Sequence, residues 1–231
     1  MTSATNVFAA SAPFRTVHHG RFHISVTKPE VCGGHHLVLV KGQVADESGS
    51  PAPLCRVASA CVTSTALDAD DCDCAGQNQA ALELIDSSGR GILVYLDQEG
   101  RGNGLEAKIE ALNGKAAGLD TFAAVEALGL PADARNYEPV PLILGALGVK
   151  AIRLLSNNPG KAASIVQTGV RVTEMVPCLD PHPPARARRH LQAKVRRGHL
   201  LPSPSSSDDS TIAAGTNPAG VEPEGGRHAG R

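Results

Sequence analysis

The run GILVYLDQ, residues 91–98, constrains the fold more than any other stretch of the chain. It is continuously apolar rather than alternating, and it has the length of one strand, so both of its faces must be covered. The text after it supplies the cover. GLEAKIEALNGKAAG spaces as a helix, and Asp120 and Thr121 cap a second, TFAAVEALGL, which breaks at Pro131. PVPLILGALG reads as a third helix, AIRLLS as a strand, NNPGKAASIVQTG as a loop and helix, and VRVTEMVP as a strand. Strands alternating with helices make the second half α/β. The first half is richer in β: HHLVLVKGQV and CRVASACV read as strands around a turn-rich ADESGSPAP, before a helix over QNQAALELIDSSGRG.

The expected fold class is therefore mixed α/β, with a β-rich N-terminal half, an alternating β/α second half and one compact domain over 14–180. Residues 1–13 are small and polar and are expected to be flexible. Residues 181–201 form a basic segment with room for a short helix. Residues 202–231 are rich in Pro, Ser and Gly and are expected to be disordered, because they bury too little apolar surface to offset chain entropy.

Composition excludes several roles. Net charge is −1, so no global field recruits nucleic acid or membrane. Aromatic residues make up 3% with no Trp, a poor base for stacking platforms. No run approaches the roughly 18 apolar residues of a membrane span. MTSATNVFAASAPFR lacks a charged start followed by a long apolar stretch, so no signal peptide is expected and cytoplasm is the expected compartment.

Three of the six cysteines lie close together, as Cys61-x10-Cys72-x-Cys74. Clustering favours a metal in a reducing compartment over disulfides. Three thiols with no fourth nearby suit zinc with one position left for water, an arrangement typical of catalysis. Partly buried, unliganded thiols are the alternative. Cys32, Cys55 and Cys178 stand apart and read as small apolar residues. The pairs His18–His19 and His35–His36 lack helical spacing and read as polar residues on strands.

Other stretches suit a nucleotide. The apolar run 91–98 enters EGRGNG, where glycines at 100, 102 and 104 let backbone N–H groups approach phosphates. Arg101 adds a bidentate donor and Glu99 an acceptor suited to a guanine edge. The spacing fits neither the Walker nor the dinucleotide pattern, and a charged surface turn is the alternative. Asp133 and Arg135 flank Ala134 after a Pro break, either facing a cleft or forming a surface ion pair. LLSNNPGK ends a strand with Ser156 and Lys161 near a helix start, as a phosphate site or a simple cap.

In this order and spacing the set resembles the GTP cyclohydrolase II family, from about Phe14 to Leu201. The motifs carrying the resemblance are the cysteine spacing, YLDQEGRGNGL, GLDT, LGLPADAR, IRLLSNNPGK and GHLL. The resemblance implies opening of the GTP imidazole ring, with release of formate and pyrophosphate and formation of a diaminopyrimidine ribosylamino phosphate for riboflavin. It implies one zinc per subunit on Cys61, Cys72 and Cys74, Mg²⁺ with the triphosphate, and a homodimer. It places GTP contacts at Arg56, Ser59, Gln77, Glu99, Gly100, Arg101, Thr121, Ser156 and Lys161. Asp133 matches the family's general base and Arg135 its nucleophile at the α-phosphate. A guanidinium is effectively always protonated, so for Arg135 a phosphate clamp is at least as sound physically. Zinc, when bound, supplies a water acidified to a pKa of about 7 for attack at C8.

The chain departs from the family pattern at four positions besides the conservative Ser156. Leu112 stands where tyrosine is common, Glu110 where arginine is usual, and Ala58 and Ala60 where the family reads His and Glu before the first cysteine. Ser156 replaces a usual threonine and keeps the hydroxyl. Three activities follow as expectations. The first is formation of the deformylated product. The second is ring opening with the formyl group retained, or action on another purine nucleotide in a specialised pathway. The third is a silent zinc- and nucleotide-binding module.

Overall fold

A computed structural model of the chain describes residues 6–200. The expected disorder of 202–231 falls outside them. In order, the elements are β1 (Phe8–Arg15), β2 (Arg21–Thr27), α1 (Pro29–Cys32), β3 (Leu37–Lys41), β4 (Leu54–Ser59), α2 (Val62–Thr65), α3 (Cys74–Ser88) and β5 (Gly91–Leu96). A 3-10 turn at Gly100–Gly102 leads into α4 (Gly104–Ala116) and α5 (Thr121–Glu126). Next come α6 (Pro139–Ala146), β6 (Ala151–Leu155), α7 (Pro159–Gln167), β7 (Arg171–Val176) and α8 (Ala187–Arg196).

The strands form one seven-stranded sheet in the order β1-β2-β3-β5-β4-β6-β7. Pairing is antiparallel from β1 through β3 to β5 and parallel among β5, β4, β6 and β7. The expected burial of β5 on both faces holds. Ile92, Val94 and Leu96 point into one cluster, with Val140 and Ile143 of α6 and Ile165 of α7. Leu93 joins the other, with Ala81 and Ile85 of α3. Alternate side chains thus serve opposite layers, as a strand's period of two demands. Each fully buried Ile or Leu here stabilises the fold by about 1.5–3 kcal/mol.

The N-terminus corrects one expectation. Residues 1–13 were expected to be flexible, yet Phe8–Arg15 pair with β2 as an edge strand. AASAP carries little apolar alternation because β1 is exposed along most of its length. Backbone hydrogen bonds hold it there, and side-chain pattern cannot report them. The short helices α1 and α2 were also not anticipated.

The basic segment was bounded at residue 181, but it does not stand apart from the core. Backbone contacts group it with the rest of the described chain, and α8 packs against α5. Among the described residues, no helix is long and apolar enough to cross a membrane.

Candidate active site

β4, β5 and β6 run parallel, and their carboxyl ends open on one crevice, where ligands gather in open α/β sheets. There lies a cavity of about 180 Å³. The end of β4 supplies Arg56, Ala58, Ser59, Ala60 and then Cys61 to its wall. Beyond β5 come Glu99, Gly100 and Arg101, and beyond β6 come Ser156 and Lys161. Cys72, Cys74 and Gln77 enter from the start of α3, Leu112 from α4, Thr121 from α5 and Arg135 from the loop before α6. Residues spread over about a hundred positions thus meet at one place.

The cysteine expectation holds in geometry. The sulfurs of Cys61, Cys72 and Cys74 lie within 4.8 Å of one another. Cys61 Sγ is 3.6 Å from Cys72 Sγ and accepts from Lys108 Nζ at 3.1 Å. Hydrogen bonds from the Cys72 and Cys74 thiols push the Cys61 pKa far down, and Lys108 adds to this. The same sharing pushes Cys72 and Cys74 up. A dication would displace the thiol protons. Three soft donors converging beside an open cavity could hold a metal ion, and the donor set suits zinc with one position open. The remaining cysteines are free and part of the packing; Cys55, for one, is fully buried. His36 is a satisfied core histidine: one ring nitrogen meets Cys32 O at 3.1 Å and the other the backbone N–H of Asp97 at 3.0 Å.

Cations dominate the rest of the wall. Arg56 donates to Leu155 O at 3.0 Å and to Gln77 Oε1 at 2.6 Å, and its buried Nε has no hydrogen-bond partner among the described residues. Lys161 is 8% exposed and donates to Val57 O at 2.8 Å. Burial and the neighbouring charges of Arg56, Arg135 and Lys194 push its pKa well below the ordinary lysine range. So many cations in a half-closed cavity repel one another, and a polyanion is their charge complement.

Asp133 does not line the cavity but organises two residues that do. It accepts from Arg101 Nη2 at 2.9 Å and from Arg135 Nε at 2.8 Å, with a further bond from Arg135 Nη2. Burial pushes this carboxyl up, but Arg135 and Arg101 outweigh it and hold it at about 2. The backbone is tailored to the arrangement. Arg101 sits in the left-handed region at φ 58°, an uncommon conformation for a residue with a side chain. Gly102 at φ 91° abuts the next loop, where a Cβ would stand 2.4 Å from Ala134 O. Ala134 N in turn donates to Arg101 O at 2.9 Å, locking the two loops together.

Both oxygens of Glu99 are engaged. Oε1 accepts from Lys108 Nζ at 2.7 Å and Oε2 from Val62 N at 2.7 Å, so a purine edge would compete with these bonds. Among the departures, Ala58, Ala60 and Leu112 line the cavity. Glu110 does not. It is exposed on α4 and is absent from the wall, which corrects its placement with the other three. Position 110 lies two residues before Leu112, on another face of a 3.6-residue helix.

Sequence reasoning missed Lys108, Lys115, Lys194 and His199, all on the wall. Lys108 stands one turn before Leu112, and that i, i+4 spacing was a usable signal. Lys115 pairs with Asp71. Lys194 and His199 belong to the C-terminal segment, whose many basic residues read equally well as a solvated face. Burial, aided by Lys194, Arg101, Arg135 and Lys161, pushes the His199 imidazole down to about 4.

A thiol cluster that could hold a metal ion, set in one cavity with converging guanidinium and ammonium groups at the ends of parallel strands, marks an α/β protein with one candidate active site. Comparison with known proteins narrows this. The family model for GTP cyclohydrolase II matches residues 7–177. Over 173 residues, 74% of this chain, it is 41% identical to the GTP cyclohydrolase-2 of Neisseria meningitidis serogroup A strain Z2491, covering 86% of that protein. It is 43% identical over the same length to the GTP cyclohydrolase-2 of Pseudomonas putida strain W619, covering 82% of it. A solved two-domain 3,4-dihydroxy-2-butanone 4-phosphate synthase from A. baumannii aligns over 65% of this chain and 34% of its own, at 20% identity and a TM-score of 0.35. The chain belongs to the GTP cyclohydrolase II family and is a hydrolase of that type.

Proposed function

We propose that this hydrolase opens the imidazole ring of GTP and releases formate and pyrophosphate, leaving a diaminopyrimidine ribosylamino phosphate for riboflavin synthesis. The observation that carries the reading is one cavity lined by three clustered thiols together with Arg56, Arg101, Arg135 and Lys161. Three waters balance the reaction. One opens the ring at C8, one frees formate from the resulting formamide, and one takes the bond between the α- and β-phosphates.

Cys61, Cys72 and Cys74 would hold zinc, which when bound supplies an acidified water and Lewis acidity at C8. Arg101, Arg135 and Lys161 hold the phosphates and stabilise charge that grows as the anhydride breaks. A carboxyl held at about 2 is a poor base near neutral pH, so Asp133 is better read as the group that orients both guanidiniums. The cavity's own carboxylates, Glu99 and Asp71, are each paired with a lysine. Mg²⁺ would therefore enter with the triphosphate rather than on a protein cage. Ser59, Gln77, Gly100, Thr121 and Ser156 complete the nucleotide contacts. The family resemblance supports a homodimer and a cytoplasmic setting.

A second reading has its own observation. Leu112 lines the cavity where the resemblance expects a phenol, and Ala58 and Ala60 replace polar groups beside it. Leucine can neither donate to a formyl oxygen nor position a water. The enzyme would then open the ring and retain the formyl group.

Zinc-loaded protein incubated with GTP and Mg²⁺ separates the readings by formate, pyrophosphate and product mass. Formate in step with pyrophosphate supports the first. A pyrimidine still carrying the formyl group supports the second. Absence of turnover on every purine triphosphate, with nucleotide still bound, would overturn both.

A further inference from the structure

The segment beyond residue 177 lies outside the matched family region, yet it reaches the cavity wall. Lys194, on the basic helix α8, is 8% exposed and lines the cavity. Its Nζ stands 2.6 Å from Asp73 Oδ1. Asp73 is 2% exposed and sits between two of the clustered cysteines, Cys72 and Cys74. Its other oxygen accepts from Gln77 Nε2, and Gln77 Oε1 accepts from Arg56 Nη2 at 2.6 Å. Arg56 Nη1 closes the chain on Leu155 O at 3.0 Å. One largely buried polar line thus joins α8, the cysteine loop, α3, β4 and the end of β6.

Other contacts hold α8 and its following turn in place. The Arg197 guanidinium lies 4.5 Å from the Phe122 ring centre, Arg101 lies 4.2 Å from the same ring, and Arg197 pairs with Glu126 at 3.1 Å. His199 N donates to Lys194 O, and Leu200 N to Asn157 O at 2.8 Å.

We propose that Lys194 is a positioning residue of this hydrolase. Through Asp73 it sets the Cys72–Cys74 backbone, and through Gln77 it sets Arg56, so that the thiols and the anion-binding wall share one alignment. The idea rests on the zinc reading of the cysteines. Asp73 is a buried carboxylate between two of the cysteines, and the ammonium that α8 brings to it offsets the cost of burying that charge. Replacing that ammonium with an apolar group of similar length favours a shift of Asp73 toward water, carrying Cys72 and Cys74 with it. Outer partners of metal ligands typically cost about 10- to 100-fold in metal affinity or activity when removed.

The test compares the parent, Lys194→Met, Lys194→Arg, Asp73→Asn and the Lys194→Met/Asp73→Asn pair in the full chain. Zinc affinity is measured by competition with a chromophoric chelator, alongside kcat and KM for GTP and melting of the metal-free forms. In Lys194→Met, zinc affinity should fall about 10- to 100-fold and kcat more than KM should change. Lys194→Arg should recover most of both. The double variant should be no worse than Asp73→Asn alone, because the two act through one contact. Unchanged zinc affinity in Lys194→Met, losses that simply add in the double variant, or a lower metal-free melting temperature as its only defect would each overturn the proposal. A parent that binds no zinc would sink the zinc reading itself, and this inference with it.

Discussion

The cavity wall has two groups of side chains, and they were assembled in opposite ways. The thiol group comes from fourteen consecutive positions, Cys61 to Cys74. The cation group comes from positions far apart in the chain, among them Arg56 on β4, Arg101 after β5, Lys108 and Lys115 on α4, Arg135 before α6, Lys161 on α7 and Lys194 on α8. A metal cluster needs soft donors within a few ångströms, which one folded loop can supply. A polyanion site needs several like charges brought close against their repulsion, and only rigid elements from a shared sheet can hold them there. In the first group the three sulfurs lie within 4.8 Å of one another, and hydrogen bonds from Cys72 and Cys74 push the Cys61 pKa down. The second holds several cations close together, and burial first, then Arg56, Arg135 and Lys194, pushes the Lys161 pKa down.

If the groups differ in this way, damage to each should have its own signature. Cys61→Ser should act most strongly, removing zinc and lowering activity by more than about 100-fold, beyond the usual cost of losing an outer partner. Metal analysis checks it, and undiminished zinc would break the ligand assignment. Arg135→Ala should leave zinc content intact yet lower kcat/KM by about 10²- to 10³-fold, the usual scale for a lost transition-state donor. If it also emptied the metal site, the two groups would not be separable. If the formyl group is retained because Leu112 lacks a phenol, Leu112→Tyr should raise the yield of formate per pyrophosphate without altering zinc binding. An unchanged ratio would remove Leu112 from the explanation.

A smaller effect concerns pH. His199 is held at about 4 when folded, against about 6.5 for a free imidazole. Unfolding then takes up a proton between these values. The stability tied to His199 is whole above pH 6.5 and is lost as pH falls from there toward 4. His199→Gln should flatten that slope by on the order of 1 kcal/mol after solvent screening, measured by urea denaturation across pH 4–7. His36 is lowered too and should leave a residual slope in the same direction. Glu110→Arg should do least, within about 0.5 kcal/mol in stability and with little change in turnover, because position 110 is exposed and off the wall. A large kinetic effect there would place α4 differently against the nucleotide.

Much of the architecture was legible from the chain. The continuous apolar run at 91–98 required cover on both faces, and the alternation after it announced the helices that provide it. The cysteine spacing announced the thiol cluster, because its donors are close in sequence as well as in space. Edge strand β1 was hidden because exposed small residues carry no burial pattern. Lys194 was hidden because a lysine in a basic run looks the same whether its ammonium meets water or a buried carboxylate. The exposed side of α4 separated Glu110 from Leu112, a distinction that needs the helix's rotation about its axis.

The sequence by itself determined the order of strands and helices along the chain and the clustering of Cys61, Cys72 and Cys74. These depend on local period, spacing and side-chain chemistry. Only the tertiary structure decided that Asp133 serves two arginines rather than facing the cavity, that Glu99 is engaged on both oxygens, and that α8 reaches back to the cysteine loop. Those outcomes depend on which buried charges find partners across long separations in the chain, and that balance is struck only once the sheet has brought them together.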